Sequence, residues 1–336
     1  MEKRPSTATQ KRNARFLYGN LHPHFSHCKI EWPAINSLQN DIKTPQYFVL
    51  DDAPYIHPLN NRIMTTVEEQ PVPDYLAKLN EHERDQHIQF YPIPHIYTVR
   101  GEGGYTSVTT WNHTHFSHFD ADAMIAKIIN SPNMLKPTYK YYGMTAEQIK
   151  AMWSQNGEQA SSAGTNLHYD IECYWNNCPN PNDSVEYKYF LRFVEDFQRE
   201  NPGVKPYRTE WMVYYEELKL SGSIDMVFEN PDGSLQIYDW KRCKEIPHEN
   251  PYNKTAITEC IRHLPDSKFW HYALQLNTYK TILETKYGKR VTNLCLVCLH
   301  PDNAYKTYDR IPVPIMEKEM ADLFELRKHQ VSEPAH

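Results

Sequence analysis

Three residues about two-thirds of the way along the chain have the types and spacing of a metal-assisted catalytic site. Asp239 and Lys241 are separated by one residue, and Asp225 lies in the preceding β-rich run. Two facing carboxylates repel each other unless a cation lies between them, and hard ions such as Mg²⁺ or Mn²⁺ prefer such oxygen ligands. A lysine beside them could position or help to deprotonate an attacking water. The three residues therefore predict a centre for phosphate-ester hydrolysis.

A β-hairpin is the element expected to bring these residues together. The sequence Asn230-Pro-Asp-Gly-Ser234, between two β-rich runs, consists of residue types that strongly favour a tight turn. A turn centred on Asp232 places Asp225 opposite Asp239, and the alternation of side chains puts Lys241 on the face of Asp239. A register shifted by one residue would separate the two carboxylates.

The remaining pattern predicts an α/β fold with a central mixed β-sheet flanked by helices. Helices are expected at the following residues: 120–129, from Thr145 towards 156, from about 161 to 177, 185–200, 267–287 and 316–328. Strands are expected at about 209–216, 222–229, 234–241, 291–299 and 305–313. A glycine turn at 100–104 is interpreted as joining strands 95–99 and 105–111, since no Walker motif accompanies it.

We divide the chain into two parts on composition. Residues 1–92 are predicted to be an N-terminal extension, partly disordered, because the first 45 residues are polar, rich in His and Pro, and show little periodicity. Residues 93–330 are predicted to form a single domain that carries the catalytic centre, with a core at about 160–300.

Four short motifs in order resemble one nuclease family. They are Gly164-Thr-Asn-Leu-His168, Gly222-Ser-Ile-Asp225, Asp239-Trp-Lys241 and Gln275-x-x-x-Tyr279. This order resembles the RecB-like branch of the PD-(D/E)xK nucleases and is similar to the mitochondrial genome maintenance exonucleases. The resemblance covers about residues 160–285. It implies a restriction-endonuclease-like core and a Mg²⁺- or Mn²⁺-dependent exonuclease that acts on DNA ends or single-stranded DNA in replication, repair or recombination.

The resemblance also implies a role for each matching residue. The metal ligands would be His168, Asp225, Asp239 and the backbone carbonyl of Trp240, with Lys241 as the catalytic lysine. Gln275 and Tyr279 would face the substrate, and their four-residue spacing places them on one side of a helix. Glu172, one helical turn after His168, could orient that imidazole or contact the metal through water, or be a surface residue. Glu210 matches an acidic position often found before the hairpin in this family.

A basic stretch after the hairpin is the candidate for phosphate contacts. Residues 241–290 are richer in Lys and Arg than in Asp and Glu, although the whole chain has a net charge of -6. The candidate phosphate contacts in this stretch are Arg242, Lys244, Lys254, Arg262 and Lys268. Arg242 and Lys244 lie nearest Lys241 in the sequence. Trp270, Tyr272 and Tyr279 could stack on unpaired bases, and Trp270 and Tyr272 could equally belong to the core.

Several features limit the cofactors and the compartment. The seven cysteines lack the spacing of an iron–sulfur cluster, and no secretory signal precedes them. We therefore expect buried thiols in an intracellular, reducing compartment, with no membrane span. Cys295 and Cys298 would face opposite sides of a strand. The repeated pattern HxHFSH, at 22–27 and 113–118, is interpreted as loop composition because cysteines and carboxylates at ligand spacing are missing around it.

Two other functions remain open on sequence grounds. The first is an RNA endonuclease of the cap-snatching type, whose site also combines a histidine, acidic residues and a lysine. Gln275 and Tyr279, together with the inserted loop 242–265, favour DNA over this alternative. The second is a nucleic-acid-binding module without catalysis, against which the complete set of ligands argues.

Overall fold

The computed structural model describes residues 73–180 and 182–332. Within these ranges the helices are α1 (Tyr75–Leu79), α2 (Val108–His113), α3 (Ala121–Ile129), α4 (Ala146–Trp175), α5 (Val185–Glu200), α6 (Lys268–Lys286) and α7 (Glu317–Ser332). The strands are β1 (Ile88–Tyr91), β2 (Ile96–Val99), β3 (Thr106–Ser107), β4 (Lys205–Tyr215), β5 (Leu220–Glu229), β6 (Leu235–Lys241), β7 (Val291–Cys298) and β8 (Asp309–Pro312).

Six of these strands form one mixed sheet. Its order is β3, β5, β6, β7, β8, with β4 paired to β5 along the other edge of that strand. The β4–β5, β5–β6 and β7–β8 pairs are antiparallel, whereas β3–β5 and β6–β7 are parallel. Helices cover both faces, so the predicted α/β class with a central mixed sheet is confirmed.

Each face of the sheet has its own hydrophobic core. On one face α6 packs against alternate residues that include Val227, Ile237 and Leu294. On the other face α4 and α5 pack against Phe228 and Trp240. Because burial of apolar side chains is the main favourable term in folding, the two cores fix the sheet between its helices.

The central hairpin has the register predicted from its turn. Val227 pairs with Ile237 and Met226 with Tyr238, which is the alignment of a turn centred on Asp232. Asp232 also organises the turn, because its carboxylate accepts hydrogen bonds from the backbone and the hydroxyl of Ser234. A strong local turn signal was therefore sufficient to fix the strand register.

Helix α4 is a single element where two helices were predicted. It begins at the expected capping box, in which Thr145 and Gln148 exchange hydrogen bonds between side chain and backbone. It then continues for 30 residues to Trp175. The predicted break near residue 156 is wrong. Residues 154–163 lack a buried face, so apolar periodicity vanishes there while the helix persists.

The predicted hairpin between residues 95–99 and 105–111 is also wrong. Strand β2 pairs instead with β1, and the short strand β3 pairs with the start of β5. The following residues form α2, whose N-cap is Ser107, with its side chain accepting a hydrogen bond from the amide of Thr110. Val108 and Trp111 are buried on this helix, so tertiary packing outweighs the β-propensity of the segment.

Residues 73–92 belong to the packed structure. Strand β1 precedes this position and pairs with β2, which follows it. Helix α1 lies against β4, and its Leu76 amide donates a hydrogen bond to the side chain of Asn176. The predicted boundary at 93 therefore falls between two paired strands, and residues 1–72 of the predicted extension lie outside the described residues.

The cysteines on β7 lie on opposite faces of the sheet, as predicted. Cys295 packs in the core beneath α5, whereas Cys298 packs in the core beneath α6. Both are buried free thiols. The two thiols therefore cannot share one ion without rebuilding the strand.

Candidate active site

Asp225 lies where two strands of the sheet diverge. Strand β3 pairs with β5 at Leu220 and Ser221, and β6 pairs with β5 from Met226 onwards. Residues 222–225 lie between these two paired stretches. Instead of continuing the ladder, the amide of Trp240 donates a hydrogen bond of 2.9 Å to the Asp225 carboxylate. The divergence leaves room for a functional group at this point.

Three side chains from three elements meet beside residues 222–225, where β3 and β6 diverge. The Nδ1 atom of His168 on α4 lies 3.6 Å from Asp225 Oδ2 and 3.8 Å from Glu210 Oε1. One ligand atom from each of the three residues lies within 4.8 Å of the others. One imidazole nitrogen and two carboxylate oxygens are a donor set that fits a divalent cation.

Glu210 has an unusual backbone conformation. Its φ angle is 42°, in the left-handed region, although it lies within strand β4. Such a conformation costs a non-glycine residue about 1–3 kcal/mol and is concentrated at functional sites. The hydroxyl of Ser223 donates a hydrogen bond of 2.9 Å to its carboxylate. The strain therefore accompanies a fixed placement of Glu210 beside Asp225.

Asp239 and Lys241 form an adjacent ion pair. The Lys241 Nζ atom lies 3.0 Å from Asp239 Oδ2, and both side chains are almost completely buried. The same ammonium lies over the ring of Tyr272 on α6, 4.3 Å from its centroid. A carboxylate and an aromatic face therefore hold the lysine at the end of β6.

The electrostatics of the cluster reflect several buried acids in one place. Burial, reinforced by the charge of Asp225, raises the pKa of Asp239 to about 7 even though Lys241 opposes this shift. Burial also raises the pKa of Asp225 and of Glu210. Burial lowers the pKa of His168, but the Asp225 and Glu210 carboxylates outweigh it and raise the value to about 9. Carboxylates crowded in this way are stabilised by a cation.

The predicted ligands are brought together only in part. His168 and Asp225 belong to the three-residue cluster, and the Trp240 carbonyl oxygen lies 3.0 Å from His168 Nε2. The Asp239 carboxylate is outside that cluster and faces Lys241. Glu172 is buried, so the alternative of a surface glutamate is excluded, and its charge acts on Glu210.

Gln275 and Tyr279 lie on α6 beside the divergence. Tyr279 is buried, and its hydroxyl would lie 2.7 Å from a Cβ atom added to Gly222. A hydrogen bond links Tyr279 to Gln275, whose side chain also donates a 3.5 Å hydrogen bond to Thr109. Tyr279 therefore packs beneath the site, while Gln275, partly exposed, is the member of this motif nearer to solvent.

The basic residues predicted to contact phosphate differ in exposure and in whether they already pair with an acidic side chain. Arg242 is engaged with Glu186 at the start of α5, with an N···O distance of 2.6 Å. Arg262 pairs with Glu259 on the surface, 2.5 Å away. Lys244 and Lys254 are exposed, Lys268 and Trp270 are partly buried, and Tyr272 is a core residue beneath Lys241.

Two residues of this site, Glu210 and Tyr272, have roles that the sequence did not assign to them. Glu210 could have been placed opposite Asp225 from the β4–β5 register, in which Thr209 pairs with Met226 and Trp211 with Ile224. The contact of Tyr272 with Lys241 had no comparable signal, because it depends on where α6 crosses the sheet.

The second copy of the HxHFSH pattern shows no sign of a metal site. His113 belongs to α2, and His115 is buried with its Nδ1 atom 2.9 Å from the Thr258 hydroxyl. Across the described part of the chain, the cluster of His168, Glu210 and Asp225 is the group arranged to hold a metal ion. The first copy, at 22–27, lies outside the described residues.

Comparison with known proteins agrees with this geometry. A family model for the PD-(D/E)XK nuclease superfamily matches residues 140–333, more than half of the chain. The chain belongs to the PD-(D/E)XK nuclease superfamily. The matched region contains His168, the central hairpin and helix α6, so the nuclease core is the part of the molecule built around the cluster.

The solved structures that the nuclease is similar to include the crystal structure titled "Putative exonuclease" from Eubacterium rectale. The two share 10% sequence identity with a TM-score of 0.30, over 69% of this chain and 84% of that chain. A search of curated proteins found none that matches the sequence.

Nucleases of this superfamily generally use divalent metal ions on nucleic acid substrates. The donor set at the divergence fits that chemistry, because it combines oxygen ligands with one imidazole. Among residues 73–180 and 182–332, none of the helices combines the length and hydropathy needed to cross a bilayer.

Proposed function

We propose that this nuclease is a divalent-metal-dependent deoxyribonuclease that acts on DNA ends or on single-stranded DNA, with Mg²⁺ or Mn²⁺ as the ion. The observation that carries the proposal is the meeting of His168, Glu210 and Asp225 beside the Asp239–Lys241 ion pair. A hydrolytic phosphodiesterase needs a cation site and a group that orients water, and this arrangement offers both.

In this proposal some residues would bind the metal ion and others would orient the attacking water. His168, Glu210 and Asp225 would hold the ion, which supplies positive charge at the phosphate when bound. Lys241 would orient the attacking water, and Asp239 with the ring of Tyr272 would keep its ammonium in place. The Trp240 amide, by donating to Asp225, fixes the direction of that carboxylate.

The resemblance to RecB-like enzymes and to mitochondrial genome maintenance exonucleases favours DNA as the substrate. Gln275 and the long connection 242–265 support the same choice over RNA. A role in DNA replication, repair or recombination would follow from such a specificity.

A cleavage assay separates this function from its alternatives. The purified full chain is incubated with labelled single- and double-stranded DNA and RNA, with Mg²⁺, with Mn²⁺ or with a chelator. We expect metal-dependent shortening of DNA, and its loss in Asp225→Asn. Selective cleavage of RNA would support the endonuclease alternative. Binding of nucleic acid without cleavage under any ion would identify a non-catalytic module and reject the proposal.

A further inference from the structure

A small pocket lies beside the catalytic lysine, between helices α2 and α6. It is lined by Thr109, Asn112, His113, His271, Tyr272 and Gln275. Tyr272 belongs both to this pocket and to the contact with Lys241 Nζ. Tyr272 therefore contacts both the pocket and the lysine of the proposed cleavage site.

Asn112 is the unusual residue of this pocket. Its side chain is only 2% exposed, yet neither the amide nitrogen nor the amide oxygen has a hydrogen-bond partner among the described residues. Leaving a buried polar group unpaired destabilises a fold, so such groups need an explanation. The Asn112 amide lines the pocket and has both a donor and an acceptor available to a bound group.

Another buried asparagine on the same helix pair shows the normal arrangement. The Asn277 amide nitrogen donates to the carbonyls of Ala273 and Pro314, and its oxygen accepts from the amide of Met316. Asn277 is 1% exposed, so it matches Asn112 in burial and differs in pairing. The two asparagines are equally buried, and the contrast in pairing sets Asn112 apart from Asn277.

The size and charge of the pocket restrict what it can bind. It holds about 10 Å³, which is room for roughly one water-sized atom. Its lining contains amide, imidazole, hydroxyl and phenol groups, without Lys or Arg. A phosphate oxygen would find no fixed cation there and could not donate to the Asn112 oxygen. A hydroxyl is water-sized, neutral, and both donates and accepts.

We propose that this pocket binds a sugar hydroxyl of the nucleotide beside the scissile phosphate, through both atoms of the Asn112 amide. The inference rests on the proposed function, since it assumes that a nucleic acid strand lies over Lys241. On DNA such a hydroxyl exists only at a strand end, so the pocket would recognise termini. On RNA the 2′-hydroxyl offers the same chemistry.

The test is a binding experiment with the full chain and short labelled oligonucleotides, with Ca²⁺ as the cation. The probes are DNA with both terminal hydroxyls, DNA with a 3′-dideoxy end, DNA with a 5′-phosphate, and DNA with one terminal ribonucleotide. The proteins are wild type, Asn112→Leu, and Asn277→Leu as the matched control. Thermal unfolding of each protein is measured in parallel.

We expect wild type to bind about tenfold more weakly when the recognised hydroxyl is removed or blocked, as for the loss of one or two hydrogen bonds. The probe that loses affinity identifies the 3′ or the 5′ end as the source, and tighter binding of the ribonucleotide probe identifies the 2′-hydroxyl. Asn112→Leu should bind all probes equally, with a melting temperature unchanged or raised. Asn277→Leu should melt lower and keep the discrimination.

Two results would overturn the inference. One is wild-type binding that is the same for all four probes. The other is an Asn112→Leu protein that melts lower but discriminates like wild type, because Asn112 would then contact only a structural water. If Asn112→Leu does not fold, Thr109→Val removes a pocket hydroxyl at a partly exposed position and should reduce the discrimination several-fold. Because binding is the readout, a failure of the inference is distinct from a failure to cleave.

Discussion

The Nε2 atom of His168 lies 3.0 Å from the backbone carbonyl oxygen of Trp240. This contact joins α4, on one face of the sheet, to β6 at the residue between Asp239 and Lys241. It also leaves Nδ1 facing Asp225 and Glu210. A hydrogen bond on one ring nitrogen fixes the orientation of a ligating histidine. In the proposed metal site, Nδ1 would therefore be the atom presented to the cation.

Replacement of Glu210 by Gln should weaken metal binding by about 10- to 100-fold, the range found for groups that support a metal site. The metal-free protein should become more stable, since one of several mutually repelling buried carboxylates is removed. Isothermal titration with Mn²⁺ and thermal unfolding with a chelator measure the two effects. Glu229→Gln, at the far end of β5, is the control and should change neither. Unaltered Mn²⁺ affinity in Glu210→Gln would exclude it as a ligand.

Replacement of Lys241 by Ala should reduce cleavage by about 100-fold or more, the usual contribution of a positioned group that handles the attacking water. Lys286→Ala is a matched control, because Lys286 also lies over a tyrosine ring, at 4.3 Å from Tyr215, and pairs with Glu217. The control should cleave like wild type. Initial rates on labelled DNA decide the comparison, and equal rates for the two variants would remove Lys241 from the catalytic machinery.

The two motif glycines should respond in opposite ways to alanine. Gly222→Ala would place its Cβ atom 2.7 Å from the Tyr279 hydroxyl, so we expect a loss of about 1–3 kcal/mol in the free energy of unfolding. Gly164→Ala meets nothing within 4 Å and lies inside α4, so a gain of about 0.5–1 kcal/mol is expected. Urea unfolding measures both, and the same sign for the two variants would contradict the close packing of Tyr279.

Acid should destabilise the fold through His115. Burial lowers the pKa of His115 to about 4, helped by the charge of Arg327. The unfolded chain binds this proton more readily than the folded chain does. The neutral His115 therefore contributes to the free energy of unfolding above pH 6.5, and this contribution is lost as the pH falls through 4. The difference corresponds to about 3 kcal/mol. Unfolding free energies measured between pH 7 and 4 should fall less steeply in His115→Asn than in a control with exposed His118 replaced.

The sequence was most informative where local chemistry sets geometry. The turn around Asp232 and the capping box at Thr145 are each encoded by a few adjacent residues, and both are present as predicted. The strand bounds of the hairpin and the extent of α5 follow from periodicity for the same reason. The placement of Asp225 against the end of β6 therefore needed no knowledge of the rest of the fold.

Contacts between elements that are distant in the sequence were harder to predict. Glu210 reaches the cluster through a strained backbone conformation in β4, for which its own residue type gives no signal. The segment Thr106–His113 has β-rich composition but is mostly helical, because its apolar residues are buried against α6 and its serine caps the helix. The pairing of Lys241 with Tyr272 likewise exists only once α6 is docked.

Because α4 is unbroken, it restricts the insertions and deletions that this part of the chain can accept. From its cap at Thr145 to His168 the helix advances about 1.5 Å and turns about 100° per residue. His168 and the residues after it are held by the core, so one inserted residue upstream would swing the cap and the preceding segment around the helix axis. Insertions of about 7 or 11 residues nearly restore the original direction. Natural length variation in this helix should therefore occur in steps of about 7 or 11 residues.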